Sequence, residues 1–270
     1  MRGPGAKPTP TRGPRGTAAP TRGPRPVRFN RRGSFSSTDR PPRPRPAGAS
    51  LEKLLGSQPW DSVLPHLLKA GVESAPALEK LKRYAHLTLE WNRSVSNVVS
   101  RHDERRFVER HIAESVEPAA WLKTSGGARW IDFGSGAGLP AIPLAIAGVG
   151  SEWTLVESRR MKTLFMRKSK QELGLQQLEI VLSRLESMLE ESARLSSYDG
   201  FTSRATLALG PTLELAAAFV KPGGKAFLWK GSKREAEMKA DERWRETWEL
   251  DGLLGIGNGQ TVIVRFTRKG

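Results

Sequence analysis

The apolar positions of this chain change their period near residue 125. Over residues 77–95, Leu78, Leu81, Leu87, Leu89 and Trp91 recur near helical spacing with charges between them, the mark of an amphipathic helix. Residues 104–122 continue the theme, with Phe107, Val108, His111, Ile112 and Val116 as the expected inner face. From Ala128 onward, short apolar runs take over. RWIDF (129–133), EWTLVE (152–157), LEIVLS (178–183), the stretch near 200–203 and KAFLWK (225–230) read as buried strands. Between them PAIPLAIAGV, RRMKTLFMRKSKQELG and PTLELAAAFV read as helices. Such alternation predicts parallel strands, right-handed crossovers and helices on both faces of the sheet. After the turn Lys221-Pro222-Gly223-Gly224 come WRETWEL (244–250) and the cleanly alternating QTVIVRFTR (260–268), which suits an antiparallel edge hairpin. The expected fold is α/β: a doubly wound, Rossmann-like domain over 126–270 with a C-terminal antiparallel hairpin, preceded by a helical cap over 51–125.

Charge adds a third segment. Residues 1–50 hold 12 of the 44 Lys and Arg, one of the 28 acids and 11 of the 19 prolines, so they carry +11 of the net +16. The hexamer PTRGPR stands at 10–15 and again at 20–25. A Pro/Gly/Arg-rich stretch buries too little apolar surface to offset the entropy of ordering, so a disordered basic arm is expected. Its chemistry fits sequence-independent attraction to nucleic-acid phosphates, or a purely solubilising tail. It lacks the apolar core of a secretory signal. The chain has no cysteine, which removes disulfides, thiolate metal sites and a cysteine nucleophile. No apolar run approaches the roughly 18 residues that span a bilayer, and no metal ligands cluster at coordination spacing. A soluble, cytoplasmic protein without metal is the expectation.

The candidate chemistry sits in IDFGSGAGLPAIPLAI (131–146). This loop follows the first strand, and ligands of doubly wound sheets bind at the carboxyl ends of strands. A phosphate-binding GxxxxGK[ST] loop is excluded by spacing and by the missing lysine. The nicotinamide fingerprint GxGxxG fails from Gly134 because position 139 is Leu, and fits only weakly from Gly136, with Pro140 inside it. A hydride-transfer Tyr-x-x-x-Lys pair is also lacking, since Tyr84 and Tyr198 have Thr88 and Thr202 four residues on. What remains is acid-x-Gly-x-Gly-x-Gly, from Asp132 to Gly138. It resembles the first motif of class I S-adenosylmethionine-dependent methyltransferases. Glu157, ending the second strand, is placed to accept hydrogen bonds from ribose hydroxyls.

A wider resemblance follows. WIDFGSGAGLPAIPLAIA, TLVESRRMKTLFMRK, ELGL, VLSRLE, TSRA and VKPGGKAFLWKG, in this order, are similar to the bacterial 16S rRNA small-subunit methyltransferase G family, also called glucose-inhibited division protein B. LEWNRSVSNVVS and ERHIAESV extend the likeness N-terminally, so that it spans roughly residues 78–231. The chain departs from the family with NVVS for N-L-T, Glu114 for Asp and Leu139 where Phe is common. The resemblance implies S-adenosylmethionine as cofactor, held by Gly134, Ser135, Gly136, Gly138, Leu139, Glu157, Leu185, Glu186 and Arg204. Arg204 is also the implied positioner of the target base. Asn92, Arg110, His111, Lys162, Arg184 and Lys230 are the candidates for RNA contact, with His111 and Asn92 also candidates for docking the cap on the sheet. The implied partner is 16S rRNA or the small ribosomal subunit, the implied state a monomer.

The implied reaction, transfer to N7 of a guanine, agrees with what the chain lacks. N7 has an in-plane lone pair and no proton to lose, so positioning suffices. Methylation at cytosine C5 would call for a cysteine. An exocyclic adenine amine is usually held by an Asn/Asp-Pro-Pro-aromatic loop, where this chain reads Thr202-Ser203-Arg204-Ala205. A divergent methyltransferase acting on another RNA, a nicotinamide oxidoreductase and a non-catalytic RNA-binding module are the alternatives.

Overall fold

The computed structural model describes Gly3 and residues 50–270, so the arm expected over 1–50 falls outside the described residues except at those two positions. The described chain opens with α1 (Leu51–Gly56), α2 (Leu64–Lys69) and α3 (Ser74–Ser94). Ser50 caps α1, its Oγ accepting from Lys53 N at 3.2 Å, as N-cap serines do. The periodic stretch 77–95 thus lies almost wholly in one helix. The stretch 104–122 does not. It divides into a 3₁₀ turn (Arg101–Arg106), a wide π turn (Val108–Ala113), α4 (Glu114–Val116) and α5 (Ala119–Thr124). Pro118, which lacks an N–H to continue a helix, separates the last two.

Then follow β1 (Arg129–Phe133), α6 (Ala141–Ile146), β2 (Glu152–Glu157), α7 (Arg160–Leu173), β3 (Leu178–Leu182) and β4 (Tyr198–Arg204). The chain closes with α8 (Leu209–Phe219), β5 (Val220–Lys230), α9 (Arg234–Ala240), α10 (Trp244–Thr247), β6 (Trp248–Ile256) and β7 (Thr261–Arg268). The sheet order is β3-β2-β1-β4-β5-β7-β6. β1 to β5 run parallel, and β7 is antiparallel to both of its neighbours. This is the class I methyltransferase sheet.

Alternate strand residues feed two cores, as the two-residue period demands. Trp130, Trp153, Leu155, Phe227 and Ile263 pack toward the N-terminal helices, α6 and α7. Ile131, Val156, Phe201, Leu228 and Phe266 pack toward α8 and Trp244. The expected boundary near residue 125 marks a change of secondary structure, while the first core runs across it without a break. Trp130 stacks on Trp153 and Phe227, with ring centroids 5.3 and 5.6 Å apart. A Cβ at Gly200 would run into the Trp130 ring, which accounts for glycine there.

One sequence expectation changes and a second gains detail. Lys221–Gly224 is no simple turn: β5 begins at Val220, opposite Tyr198, and resumes register with Lys225 opposite Gly200, so the four residues bulge inside the strand pair. The antiparallel edge hairpin expected for QTVIVRFTR forms from β6 and β7. Within it β7 is the inner strand, its apolar positions serving both cores, and β6, with exposed Glu249, Leu250, Asp251 and Leu253, is the outermost strand.

Candidate functional site

The strand order reverses between β1 and β4, and their carboxyl ends frame the crevice where such sheets bind ligands. The loop leaving β1 turns on Gly134 (φ +68°), Gly136 (φ +59°) and Gly138 (φ +88°), a backbone region that side chains rarely adopt. A Cβ at Gly134 would strike the Thr206 methyl, and one at Gly138 the Ile142 side chain. Gly134 N and Ser135 N donate to Val156 O at 2.9 and 3.1 Å, which lashes the loop to β2. Ser135 O accepts from Gly138 N and Leu139 N at 2.7 and 3.0 Å, closing the turn into α6.

Glu157 ends β2 and is buried. Its Oε2 accepts from Gly136 N at 3.0 Å and its Oε1 from Arg159 N at 2.9 Å. One carboxylate therefore joins the middle of the glycine loop to the start of α7. Lys162, in the first turn of α7, lies over the same loop, and a Cβ at Gly136 would stand 3.7 Å from its Nζ. Burial pushes the Lys162 pKa down, while the Glu157 charge pulls it back up. Expected on the RNA side, Lys162 thus sits at the glycine loop. Ser183 N donates to Glu157 O at 3.1 Å, so the segment leading to Leu185 and Glu186 starts from the same sheet end. Leu185 itself is fully buried in the second core, and Glu186 is half-buried.

Beneath the loop, Asp132 is 1% exposed. Its Oδ1 accepts from Thr202 Oγ1 at 2.5 Å across the β1–β4 pair, and its Oδ2 has no partner. Burial pushes its pKa up to about 7, against the hydrogen bonds from Thr202 and Ser135 and reinforced by the Glu157 charge. Tyr84, from the middle of α3, also reaches the loop: its hydroxyl donates to Ala137 O at 2.7 Å. Burial raises the Tyr84 pKa, so the phenol stays protonated and keeps donating.

Arg204 ends β4 and points into the N-terminal helices. One Nη donates to Arg110 O at 2.8 Å and to Glu114 Oε2 at 3.1 Å, while the other is buried without a partner. His111 and Asp103 complete the cluster, His111 Nε2 lying 3.4 Å from an Asp103 carboxylate oxygen. Burial, with the Arg204 charge beside it, pushes the His111 pKa down to about 4, so the imidazole is neutral at pH 7. Burial raises the Glu114 pKa against the pull of Arg204 and Arg110. Glu114, the departure from the family's Asp, thus keeps an ion pair with Arg204.

The structure gathers Gly134, Ser135, Gly136, Gly138 and Glu157 into one loop assembly, with Leu139 leading out of it into α6. Arg204, Arg110 and His111 form a second assembly. Two candidates for RNA contact are turned inward instead. Asn92 is fully buried; its Oδ1 accepts from Val98 N and Val99 N at 2.8 and 3.2 Å, and its Nδ2 donates to Glu104 at 2.8 Å. It folds the chain after α3. Lys230 donates to Leu207 O at 2.9 Å and Glu237 at 2.8 Å, with its side chain 11% exposed, which clips β5 to α9. Arg184 is exposed at the head of a 3₁₀ turn. Sequence reasoning missed Tyr84 and Thr202, whose roles depend on partners 53 and 70 residues away. The available signal for Tyr84 was a hydroxyl set within the inner stripe of the helix, which Thr88 and Asn92 share with apolar residues.

A family model described as rRNA small subunit methyltransferase G matches residues 77–251. Among similar curated proteins, the ribosomal RNA small subunit methyltransferase G of Stenotrophomonas maltophilia strain K279a is 34% identical over 226 residues, 82% of this chain and 97% of that one. The protein of that name from Deinococcus deserti is 32% identical over 203 residues, 72% of this chain and 82% of its own. Among solved structures, an rRNA methylase from Streptococcus thermophilus aligns with a TM-score of 0.44 at 14% identity, covering 58% of this chain and 97% of that one.

Proposed function

The chain belongs to the rRNA small subunit methyltransferase G family, and from that premise we propose that it methylates N7 of a guanine in 16S rRNA, acting as a cytoplasmic monomer. The observation that carries this reading is the single carboxylate of Glu157 binding the glycine loop at Gly136 beside an arginine-bearing β4 end.

The residues present fit S-adenosylmethionine. Its ribose hydroxyls would find Glu157, its backbone-like methionine portion would find a loop that leaves no room for side chains, and the orphaned Asp132 Oδ2 offers an acceptor nearby. When bound, that cofactor supplies an electrophilic methyl group on a sulfonium. Tyr84 and Glu157 hold the loop at adjacent residues, Ala137 and Gly136, so the donor's place would be set before RNA arrives. Guanine offers O6 and N7 as neighbouring acceptors on one edge. The spare Nη of Arg204 is a donor suited to O6, which would leave the N7 lone pair free to face the methyl carbon. Glu114 balances the guanidinium charge, so little net charge opposes the cation that forms on the base. N7 releases no proton, and the neutral His111 is held against Asp103 rather than poised as a base.

In this reading the arm over 1–50 tethers RNA phosphates and the helices over 51–125 lie against the substrate. The test is mass-spectrometric mapping of 7-methylguanosine in small-subunit rRNA from cells with and without the protein. A single guanine losing its methyl group in the deletion strain is the expected result. An unchanged map would overturn the reading.

A further inference from the structure

Helix α7 begins three residues after Glu157, so its start stands on the rim of the cofactor loop. Thr163, Phe165, Met166, Ser169 and Leu173 are buried, which fixes the opposite face toward solvent. There Arg160, Leu164, Arg167, Lys168 and Gln171 are exposed, falling within an arc of about 100° at 3.6 residues per turn. Arg159 is exposed just ahead of them. Arg184 stands on the same rim: Glu157 pairs with Leu182 across β2 and β3, and Arg159 and Arg184 each lie two residues further on.

The side chains of Arg159, Arg160, Arg167, Lys168 and Arg184 make no ion pair or hydrogen bond among the described residues. Cations elsewhere on the surface are commonly paired, as in Arg106–Glu109 at 2.8 Å, Lys225–Asp251 at 3.0 Å and Arg243–Asp241 at 2.7 Å. Even on α7 the one acid, Glu172, is taken by Arg83 at 2.7 Å. A row of cations left without acids, starting at the site and running along a rigid helix, is complementary to a polyanion that passes the site. It is unlike a membrane-binding helix, which turns its apolar face outward; here that face is in the core and Leu164 is the lone exposed apolar residue of the row.

We propose that this row is a track for the sugar-phosphate backbone of the substrate RNA. Arg159, Arg160 and Arg184 grip phosphates at the rim, and Arg167 and Lys168 grip the strand about 11 Å further along the helix at 1.5 Å per residue. The contacts carry no sequence information; they hold the strand while the target base is taken up beside Arg204. The inference rests on the substrate being RNA, as proposed above.

The full-length double variant Arg167→Gln/Lys168→Gln tests it against Lys233→Gln/Lys239→Gln, which removes the same charge from exposed positions elsewhere. Binding of a small-subunit rRNA fragment is followed by fluorescence anisotropy from 50 to 200 mM salt, alongside S-adenosylmethionine affinity by calorimetry. Loss of two phosphate contacts lowers the slope of log K against log salt by about 1.4–1.8, so the wild type loses roughly tenfold more affinity than the variant across that range. The expected result is that change for the α7 variant alone, with cofactor affinity intact. Equal effects in both variants would mean that net charge, not a track, is at work; no effect in either, or an effect only on binding to phosphatidylserine vesicles, also overturns the proposal. Failure of the functional reading is recognised separately, as a wild-type protein that binds the fragment without methylating any small-subunit rRNA.

Discussion

Asparagine at position 132 should invert part of the pH dependence of folding. Asp132 is buried, shares Oδ1 with Thr202 and leaves Oδ2 unpaired. Burial moves its pKa from an ordinary 3.8 to about 7 in the native state. At about 1.4 kcal/mol per pH unit, ionising it in place costs on the order of 4 kcal/mol relative to the unfolded chain. The folded pKa lies above the unfolded one, so between pH 4 and 7 the native state binds more protons, and stability falls as pH rises through that window. Below pH 4 the carboxyl is protonated in both states and costs nothing. Asparagine keeps an oxygen for Thr202 and cannot ionise. The stability of Asp132→Asn minus that of the wild type should therefore climb by about 4 kcal/mol from pH 4 to 7.5, equivalent to a Tm difference of roughly 8–16 °C for a fold of this size. His111, held down to about 4, acts with the opposite sign, its contribution growing as pH rises from 4 to 6.5; it is present in both proteins and cancels in the difference. Differential scanning calorimetry in half-unit steps of pH, without cofactor, gives the two curves. Parallel curves would refute the reasoning, because they would mean that Asp132 titrates as it does in water.

Four further outcomes are expected. Gly136→Asp should abolish S-adenosylmethionine binding in calorimetry, since it places a charged side chain on a φ +59° backbone beside Glu157 and Lys162; wild-type affinity would disprove the placement of the cofactor loop. Tyr84→Phe should cost about 1–3 kcal/mol in denaturant unfolding by orphaning Ala137 O, and should raise the KM for S-adenosylmethionine without changing that for RNA. Asn92→Ala should lower stability by about 2–3 kcal/mol as three hydrogen bonds go, while the folded protein keeps its RNA affinity in anisotropy titrations. Deleting residues 1–49, which spares the Ser50 cap of α1, should weaken RNA binding at low salt and leave cofactor affinity unchanged.

Much of this molecule is visible in local pattern. β1 and β2 span the residues that their apolar runs suggested, and α7 and α8 follow from the stretches between strands. The glycine spacing marked a loop with positive φ at all three glycines, because that freedom is a property of the residue itself, independent of what packs around it. Glu157 was legible because its distance from the loop reflects one strand–helix–strand unit. Order along the chain was enough for these.

Partners distant in sequence were not legible. Lys230 and Lys162 look alike as text, yet one is clipped between Leu207 and Glu237 and the other lies on the glycine loop. Asn92 matches a family position whether it faces RNA or, as it does, the inside of a turn. QTVIVRFTR alternates as a strand of an edge hairpin should, but only its placement between β5 and β6 shows which strand of the hairpin lies inside and that its apolar positions serve both cores. Tyr84 supports the site from 53 residues upstream, and Arg204 meets Glu114 across 90 residues. Periodicity and residue type report the preferences of a segment for solvent, turn and helix. Which buried donor finds which acceptor depends on how separate segments pack, and in this protein that packing sets both the support of the glycine loop and the state of Asp132.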